Sequence, residues 1–304
     1  MAKKDVSKQA KFLKLLSSSL SFRPDENNLE ALQNQSVLIK AGGNALTNDK
    51  IKEEIVSQIS FIRQSGGNPV IVHGGGIAIK QLLDDVGIRS EFVGGHRKTD
   101  ARSMEYVEMA LSGRVNKELV KLLNTAGLKA VGISGKDAGL VTAEKRYHTE
   151  KVDGTEKKTD LGHVGDVKNV DPSLIQSLIS DGYVPVVSPV SAGEDGKDYN
   201  INADMFAGHL AGALKSEKFI ALTDIDGLLK NVNDPGSIIH GLTAHQAESL
   251  FGTVIQGGMI PKIEACLIAL TGGVKSAHII NGTKKETLLR CLLTKDKTGT
   301  TLIS

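Results

Sequence analysis

Three glycine-rich turns border the residues best suited to chemistry. They read Lys40-Ala41-Gly42-Gly43-Asn44, His73-Gly74-Gly75-Gly76 and Gly257-Gly258-Met259-Ile260-Pro261-Lys262. Glycine lets backbone N–H groups approach an anion closely, and the N–H groups that open a helix attract phosphate or carboxylate. A single Gly-Gly pair after a strand is ordinarily a tight turn; three in series point to an anion-rich pocket. Lys40 and Lys262 add cations. A surface lysine is ordinarily a solvated charge, but each of these stands at an element boundary beside a glycine turn, where an ammonium can meet a phosphoryl group in transfer. The sequence has no G-x-x-x-x-G-K-[ST] loop and no G-x-G-x-x-G that opens a helix after the first strand. Both absences count against a P-loop enzyme and a dinucleotide-dependent oxidoreductase.

Short Val- and Ile-rich runs that read as buried strands must position these turns: Ser36 to Lys40, Pro69 to His73, Lys129 to Ile133, Val184 to Val190, Phe219 to Thr223 and Ser276 to Ile280. Between them, helical periodicity covers Asp49 to Ser65, Ile77 to Val86, Asp100 to Ala126, Pro172 to Ser180, Met205 to Leu214, Ala244 to Gly252 and Ile260 to Leu270. Alternating strand and helix predict an α/β protein, a three-layer αβα sandwich around a mainly parallel open sheet, with ligands beyond the carboxyl ends of the strands. The charged stretch Ala143 to Val167 breaks the rhythm and reads as a β-hairpin near the cleft. Arg23 to Asn28 reads as a polar linker, since Pro24 and the Asn pair discourage a helix.

The first 22 residues are basic and Ser-rich, like an organelle transit peptide, but Phe12, Leu15, Leu16 and Leu20 share one helical face. The preferred reading is an amphipathic helix from about Ser7 to Leu20 and a cytoplasmic protein. The net charge of +2, 4% aromatic residues and absence of Trp argue against nucleic acid as a partner. No apolar run is long enough to span a bilayer. Two cysteines without C-x-x-C spacing signal neither zinc nor a disulfide framework.

Beyond these local signals, KAGGNA, IVHGGG, FVGGHRKTD, SGRVNKELV, GISGKDAG, LGHVGDV, YNINAD, LTDIDGLL and GGMIPKIEA follow one another from about Ser36 to the C-terminus. In order and approximate spacing they resemble the amino acid kinase family; FVGGHRKTD and YNINAD with GGMIPK resemble its acetylglutamate kinase branch. The resemblance implies ATP-dependent phosphorylation of N-acetyl-L-glutamate to the 5-phosphate, an arginine-biosynthetic step. It divides the chain into an N-terminal helix and linker (1–28), a lobe for acetylglutamate and dimerisation (29–190) and an ATP lobe (191–304).

Residue by residue, the resemblance assigns Lys40 and Lys262 to neutralise the phosphoryl group and Asp204 to hold both ammonium groups. Gly75 and Gly76 would offer N–H groups to the acceptor, Arg97 would clamp its α-carboxylate, and Asn200 would bond near its acetamido group. Gly42 and Gly43 would serve the phosphate side, while Asp224, Ile225, Asp226, Gly227, Leu228 and Leu229, with Val254, Ile255 and Gln256, match the segments around ATP. No protein-held metal is implied; Mg2+ would come with ATP. Simpler roles stay open: Asp204 as a helix cap, Asn200 and Asn202 as turn residues, Arg97 paired with Asp100, and His73 as a core histidine bonded to backbone.

The same resemblance implies a homo-oligomer, a hexamer built as a trimer of dimers through the N-terminal helix, and admits a PII-type nitrogen-signalling protein as a partner. At the C-terminus, family members inhibited by arginine carry L-L-E-x-F-T-x-x-G-x-G-T. This chain reads LLRCLLTKDKTGT, with Cys291 in place of the acid and Lys297 in place of the first glycine, which implies weak inhibition or none. An acetylaminoadipate kinase and a non-catalytic regulatory protein on the same fold are the competing readings.

Overall fold

The computed structural model describes residues 17–46, 48–152 and 155–304. Most of the helix expected from Ser7 to Leu20 lies outside them. The first element lying wholly within the described residues is α1 (Glu26–Ala31), where the sequence had read as a linker. The Asp25 carboxylate accepts from the N–H groups of Asn27 and Asn28 at 3.0 and 3.3 Å, and Leu29 is buried. A side-chain cap with one apolar anchor outweighs the Pro24 signal.

Next come β1 (Ser36–Ala41), α2 (Asp49–Gln64), β2 (Asn68–His73) and α3 (Gly76–Asp85), then the hairpin β3 (Glu91–Val93) and β4 (His96–Lys98). Gly94 and Gly95 turn that hairpin at φ 55° and 80°, the left-handed pair that a tight two-residue turn demands. The helix expected over Asp100 to Ala126 is continuous but not uniform: α4 (Ala101–Glu108) passes into a π-helical stretch, Met109–Val115, and then into α5 (Asn116–Thr125). Beyond β5 (Ala130–Ser134), the predicted hairpin is β6 (Val141–Val152) with β7 (Thr155–Val170).

After α6 (Ser173–Ser180), the strand expected from Val184 to Val190 breaks at Pro189 into β8 (Val184–Ser188) and β9 (Val190–Gly193). Proline has no N–H for a ladder, so the chain leaves one sheet and enters another there. The rest is β10 (Asp198–Ile201), α7 (Ala203–Ala213), β11 (Lys218–Thr223), β12 (Gly241–Thr243), α8 (Ala244–Glu248), α9 (Ile260–Thr271), β13 (Ser276–Asn281), α10 (Thr287–Leu293) and β14 (Thr300–Ile303).

The main sheet has the order β12-β14-β13-β11-β1-β2-β8-β5. All its pairings are parallel except β13 with β14. Side chains of β1 alternate between two apolar layers, as a strand buried on both faces requires. Val37 and Ile39 join Ile55, Ile59 and Ile62 of α2 and Leu119 and Leu123 of α5. Leu38 points the other way, to Phe206 and Leu210 of α7 and Ile263 of α9. The three predicted layers are therefore present. Strands β10, β7, β6 and β9 close into a small separate barrel beside them.

Candidate functional site

The neighbouring strands β1 and β2, near the middle of the sheet, end side by side, with Lys40 opposite Val72 and Ala41 opposite His73. Beyond those ends lie the first two glycine turns and the N-terminus of α7. Asn202 caps α7 by accepting from the N–H groups of Asp204 and Met205 at 2.9 and 3.3 Å. Asn202 thus does the capping considered for Asp204, whose carboxylate is left to face inward from the first helical turn.

Asp204 meets both lysines. One oxygen, Oδ1, lies 2.9 Å from Lys40 Nζ, off the hydrogen-bonding direction, and Oδ2 accepts from Lys262 Nζ at 3.2 Å. Lys40 and Asp204 are only 6% exposed. Burial disfavours the Asp204 carboxylate, but the two ammonium groups outweigh it and hold its pKa below the usual range. Burial depresses the pKa of Lys40, Lys262 adds to the depression, and Asp204 opposes it. The trio leaves one positive charge over, at the place where an anion would enter.

Lys262 reaches this point because α7 and α9 pack backbone to backbone. A Cβ at Gly208 would lie 2.5 Å from the Ala265 carbonyl oxygen, so any side chain there would force the helices apart. Pro261 falls in the first turn of α9, where its missing N–H costs no helical bond.

A cavity of about 870 Å³ opens beside Lys40 and Asp204. Its wall includes Lys40, Gly42, Gly43, Gly75, Gly76, Arg97, Asn200 and Asp204. Gly75 and Gly76 lead into α3, and among the described residues neither N–H has a protein partner. The Arg97 guanidinium lies over the Phe92 ring at 4.7 Å, bonds the Gly76 carbonyl at 3.3 Å and contacts Ser90. Burial lowers its pKa somewhat. Asp100, its suggested surface partner, instead caps α4 by accepting from the Ser103 N–H at 2.7 Å. Lys136 binds Glu108 and Asp198 at 3.0 and 3.1 Å, tying the strand that carries Asn200 to the π-helical region.

The proposed nucleotide segments stand apart from this cavity. Asp224 to Leu229 follow the carboxyl end of β11, and Val254 to Gln256 precede the turn into α9. Asp226 is fixed by Asn281 and Lys284, each at 2.7 Å. Gly227 has φ 141°, and the Leu228 N–H donates to Thr300 Oγ1 at 2.8 Å. The side chains of Leu228 and Ile255 are core residues, so only their backbone is available to a ligand. Ile225 is exposed. Asp204 joins the two sides: it lines the cavity and holds Lys262, which does not.

Sequence reasoning passed over Phe92 and Ser90, which orient Arg97, and Arg114, which lines the cavity. The alternation in FVGGHR could have revealed Phe92, because Phe92 and Arg97 are cross-strand partners across a Gly-Gly turn. Lys52, held between Asp49 and Glu118 in the same wall, gave no comparable signal.

A mainly parallel open sheet gathers at its strand ends buried Lys40 and Asp204, half-buried Lys262 and unpaired glycine amides, an arrangement suited to an anion, and residues 35–281 match the amino acid kinase family, to which the chain belongs. The acetylglutamate kinase of Pelotomaculum thermopropionicum is 45% identical over 268 residues, covering 88% of this chain and 91% of that one. That of Synechocystis is 43% identical over 293 residues, with 96% and 93% covered. Within the family, this chain therefore belongs to the acetylglutamate kinase branch. Among solved structures, a Streptococcus mutans protein superposes with a TM-score of 0.69 at 29% identity, covering 88% of this chain and 98% of that one. The N-acetylglutamate synthase of Neisseria gonorrhoeae gives 0.76 at 23% identity over 91% of this chain. This chain spans 61% of the synthase's length, and the likeness bears on the fold alone.

Proposed function

We propose that the chain transfers the γ-phosphoryl group of ATP to the side-chain carboxylate of N-acetyl-L-glutamate, giving ADP and the acyl phosphate of arginine biosynthesis. The observation that carries this reading is the Lys40–Asp204–Lys262 trio, with Lys40 and Asp204 buried and Lys262 half-buried, at the junction of an acceptor cavity and the segment before α9. The acceptor carboxylate is ionised at neutral pH, so it needs no general base, and rate enhancement comes from positioning and charge stabilisation. Gly75 and Gly76 present N–H groups to the acceptor, Arg97 clamps its α-carboxylate and Asn200 fixes its acetamido end. Lys40 and Lys262 take up the charge that spreads over the phosphoryl oxygens, and Asp204 keeps them in place.

The surplus positive charge and unpaired amides fit a polyphosphate beside a carboxylate. ATP supplies the phosphoryl group, bordered by Gly42, Gly43, 224–229 and 254–256. Mg2+ comes with the nucleotide phosphates and keeps several waters. Among the described residues no cluster of three His, Cys, Asp or Glu is arranged to hold a metal, and no helix is long and apolar enough to cross a membrane. The reading includes a cytoplasmic enzyme with an acceptor lobe (29–190) and a nucleotide lobe (191–304). It also includes a trimer of dimers joined through residues 1–28 and a PII-type protein as a regulator. A coupled ADP assay with acetylglutamate, glutamate and acetylaminoadipate side by side tests the activity. Turnover confined to acetylglutamate is expected; equal or better turnover with acetylaminoadipate, or none with any acceptor, refutes the assignment.

A further inference from the structure

His73 is the polar group at the ends of β1 and β2 that this chemistry leaves unused. Its ring is fully buried, yet both nitrogens have partners. Nδ1 lies 3.0 Å from the Gly74 carbonyl oxygen, and Nε2 lies 3.1 Å from Asn116 Nδ2. A carbonyl oxygen only accepts, so Nδ1 carries the proton; an amide nitrogen only donates, so Nε2 offers its lone pair. The Asn116 amide is itself held in one orientation. Its Nδ2 faces the carbonyl oxygens of Val186 at 2.9 Å and Ile133 at 3.4 Å, while its Oδ1 accepts from Lys117 Nζ at 3.2 Å. Burial, reinforced by the charge on Lys117, pulls the ring's pKa down to about 4, which keeps it neutral at physiological pH.

The carbonyl that His73 holds belongs to the same peptide unit as the Gly75 N–H. In a trans peptide these two bonds point in opposite directions. A carbonyl drawn toward the buried ring therefore turns the Gly75 N–H outward, to the cavity that Gly75 lines. Asn116 owes its place to the π-helical stretch, whose extra residue per turn sets the face presented by the first residue of α5. The same stretch presses Leu111 so close that a Cβ at Gly75 would come within 2.6 Å of it.

We propose that His73 and Asn116 are positioning residues for acceptor binding: a tautomer-locked pair that holds the Gly74 carbonyl inward so that the Gly75 N–H meets the anionic acceptor. The proposal rests on the reading that Gly75 contacts the acceptor. Neither side chain touches substrate; both act through one peptide plane.

Two amide replacements in the full-length chain separate this role from simple packing. His73→Asn puts an amide nitrogen near the site of Nδ1 and can still donate to Gly74. His73→Gln reaches only toward the site of Nε2, keeping the Asn116 contact and losing the donor to Gly74. Both remove the ring and should lower thermal stability alike. Only His73→Gln should raise the acetylglutamate KM, by about tenfold or more, the scale of one hydrogen bond to a charged group. The ATP KM should stay unchanged in both. Equal acetylglutamate KM values in the two variants overturn the proposal.

Nitrogen NMR on histidine-labelled wild-type protein gives a second readout, with the His73 signals identified by their loss in His73→Asn. One protonated and one bare ring nitrogen, constant from about pH 6 to about pH 8, are expected. A titrating ring, or a proton on Nε2, overturns the lock. This measurement needs no turnover, so a chain that fails to phosphorylate acetylglutamate refutes the function while the lock is still decided by the spectrum.

Discussion

Replacing Asp204 by asparagine keeps its volume and removes the charge that two lysines share. At an effective dielectric constant of about 20, the contacts at 2.9 and 3.2 Å are worth about 6 and about 5 kcal/mol of Coulomb attraction. Desolvation of the buried groups and repulsion between Lys40 and Lys262 offset much of this. Removal of one partner from a buried ion pair leaves a net destabilisation of about 3–5 kcal/mol. Asp204→Asn should therefore unfold at lower denaturant concentration and lower temperature, and its kcat should fall by about 100-fold or more as the ammonium groups lose their fixed places.

The pH dependence carries the sign of each shift. Asp204 has a depressed pKa, so its contribution to wild-type stability is present above the unfolded value of about 3.9 and is lost as pH falls through the lower folded value. Lys40 also has a depressed pKa, so the folded state releases that proton before the unfolded state does. The ammonium form, to which the proposed reaction assigns the phosphoryl charge, disappears as pH rises through the folded value. Without Asp204 that value drops further, so the alkaline limb of kcat should move to lower pH in Asp204→Asn. The stability deficit should shrink as pH rises, because a neutral Lys40 no longer needs a counter-charge. Denaturant titrations and coupled ADP assays across pH measure both effects. An unchanged unfolding midpoint with kcat within about threefold of wild type would refute the electrostatic argument.

Arg97→Lys should raise the acetylglutamate KM and leave that for ATP alone, because an ammonium loses both the planar fork and the stacking on Phe92; a rise in the ATP KM instead would place Arg97 on the wrong side of the site. A chain beginning at Asn28 should scatter light as a dimer rather than a hexamer, since an isolated amphipathic helix needs a neighbour to bury its apolar face; an unchanged mass defeats that assembly. Arginine titrated into the kinase assay should inhibit weakly or not at all. Arg290 lies 4.6 Å over Phe22 and 3.3 Å from Asp296, and buried Glu286 already accepts from the Ser21 N–H at 3.0 Å, so nearby acids are engaged within the chain. Cooperative inhibition below millimolar arginine, with saturable heat of binding, would contradict this.

The alternation of Val37, Leu38 and Ile39 between two apolar layers was legible in the sequence, because a strand buried on both faces must be apolar throughout while helices of period 3.6 cover it. The glycine turns and their lysines were legible as a candidate anion site for the same local reason: backbone access and charge are written in residue type. What the sequence could not decide were relations between distant segments. That Asn202 rather than Asp204 caps α7 depends on side-chain direction, and that Asp204 faces Lys262 depends on the backbone contact at Gly208. The π-helical stretch looks like ordinary helix in sequence, since one extra residue in a turn leaves an amphipathic pattern nearly intact. Only folding reveals that it brings Asn116 to His73, because the partners that fix their hydrogen bonds lie on strands 43 and 70 residues away.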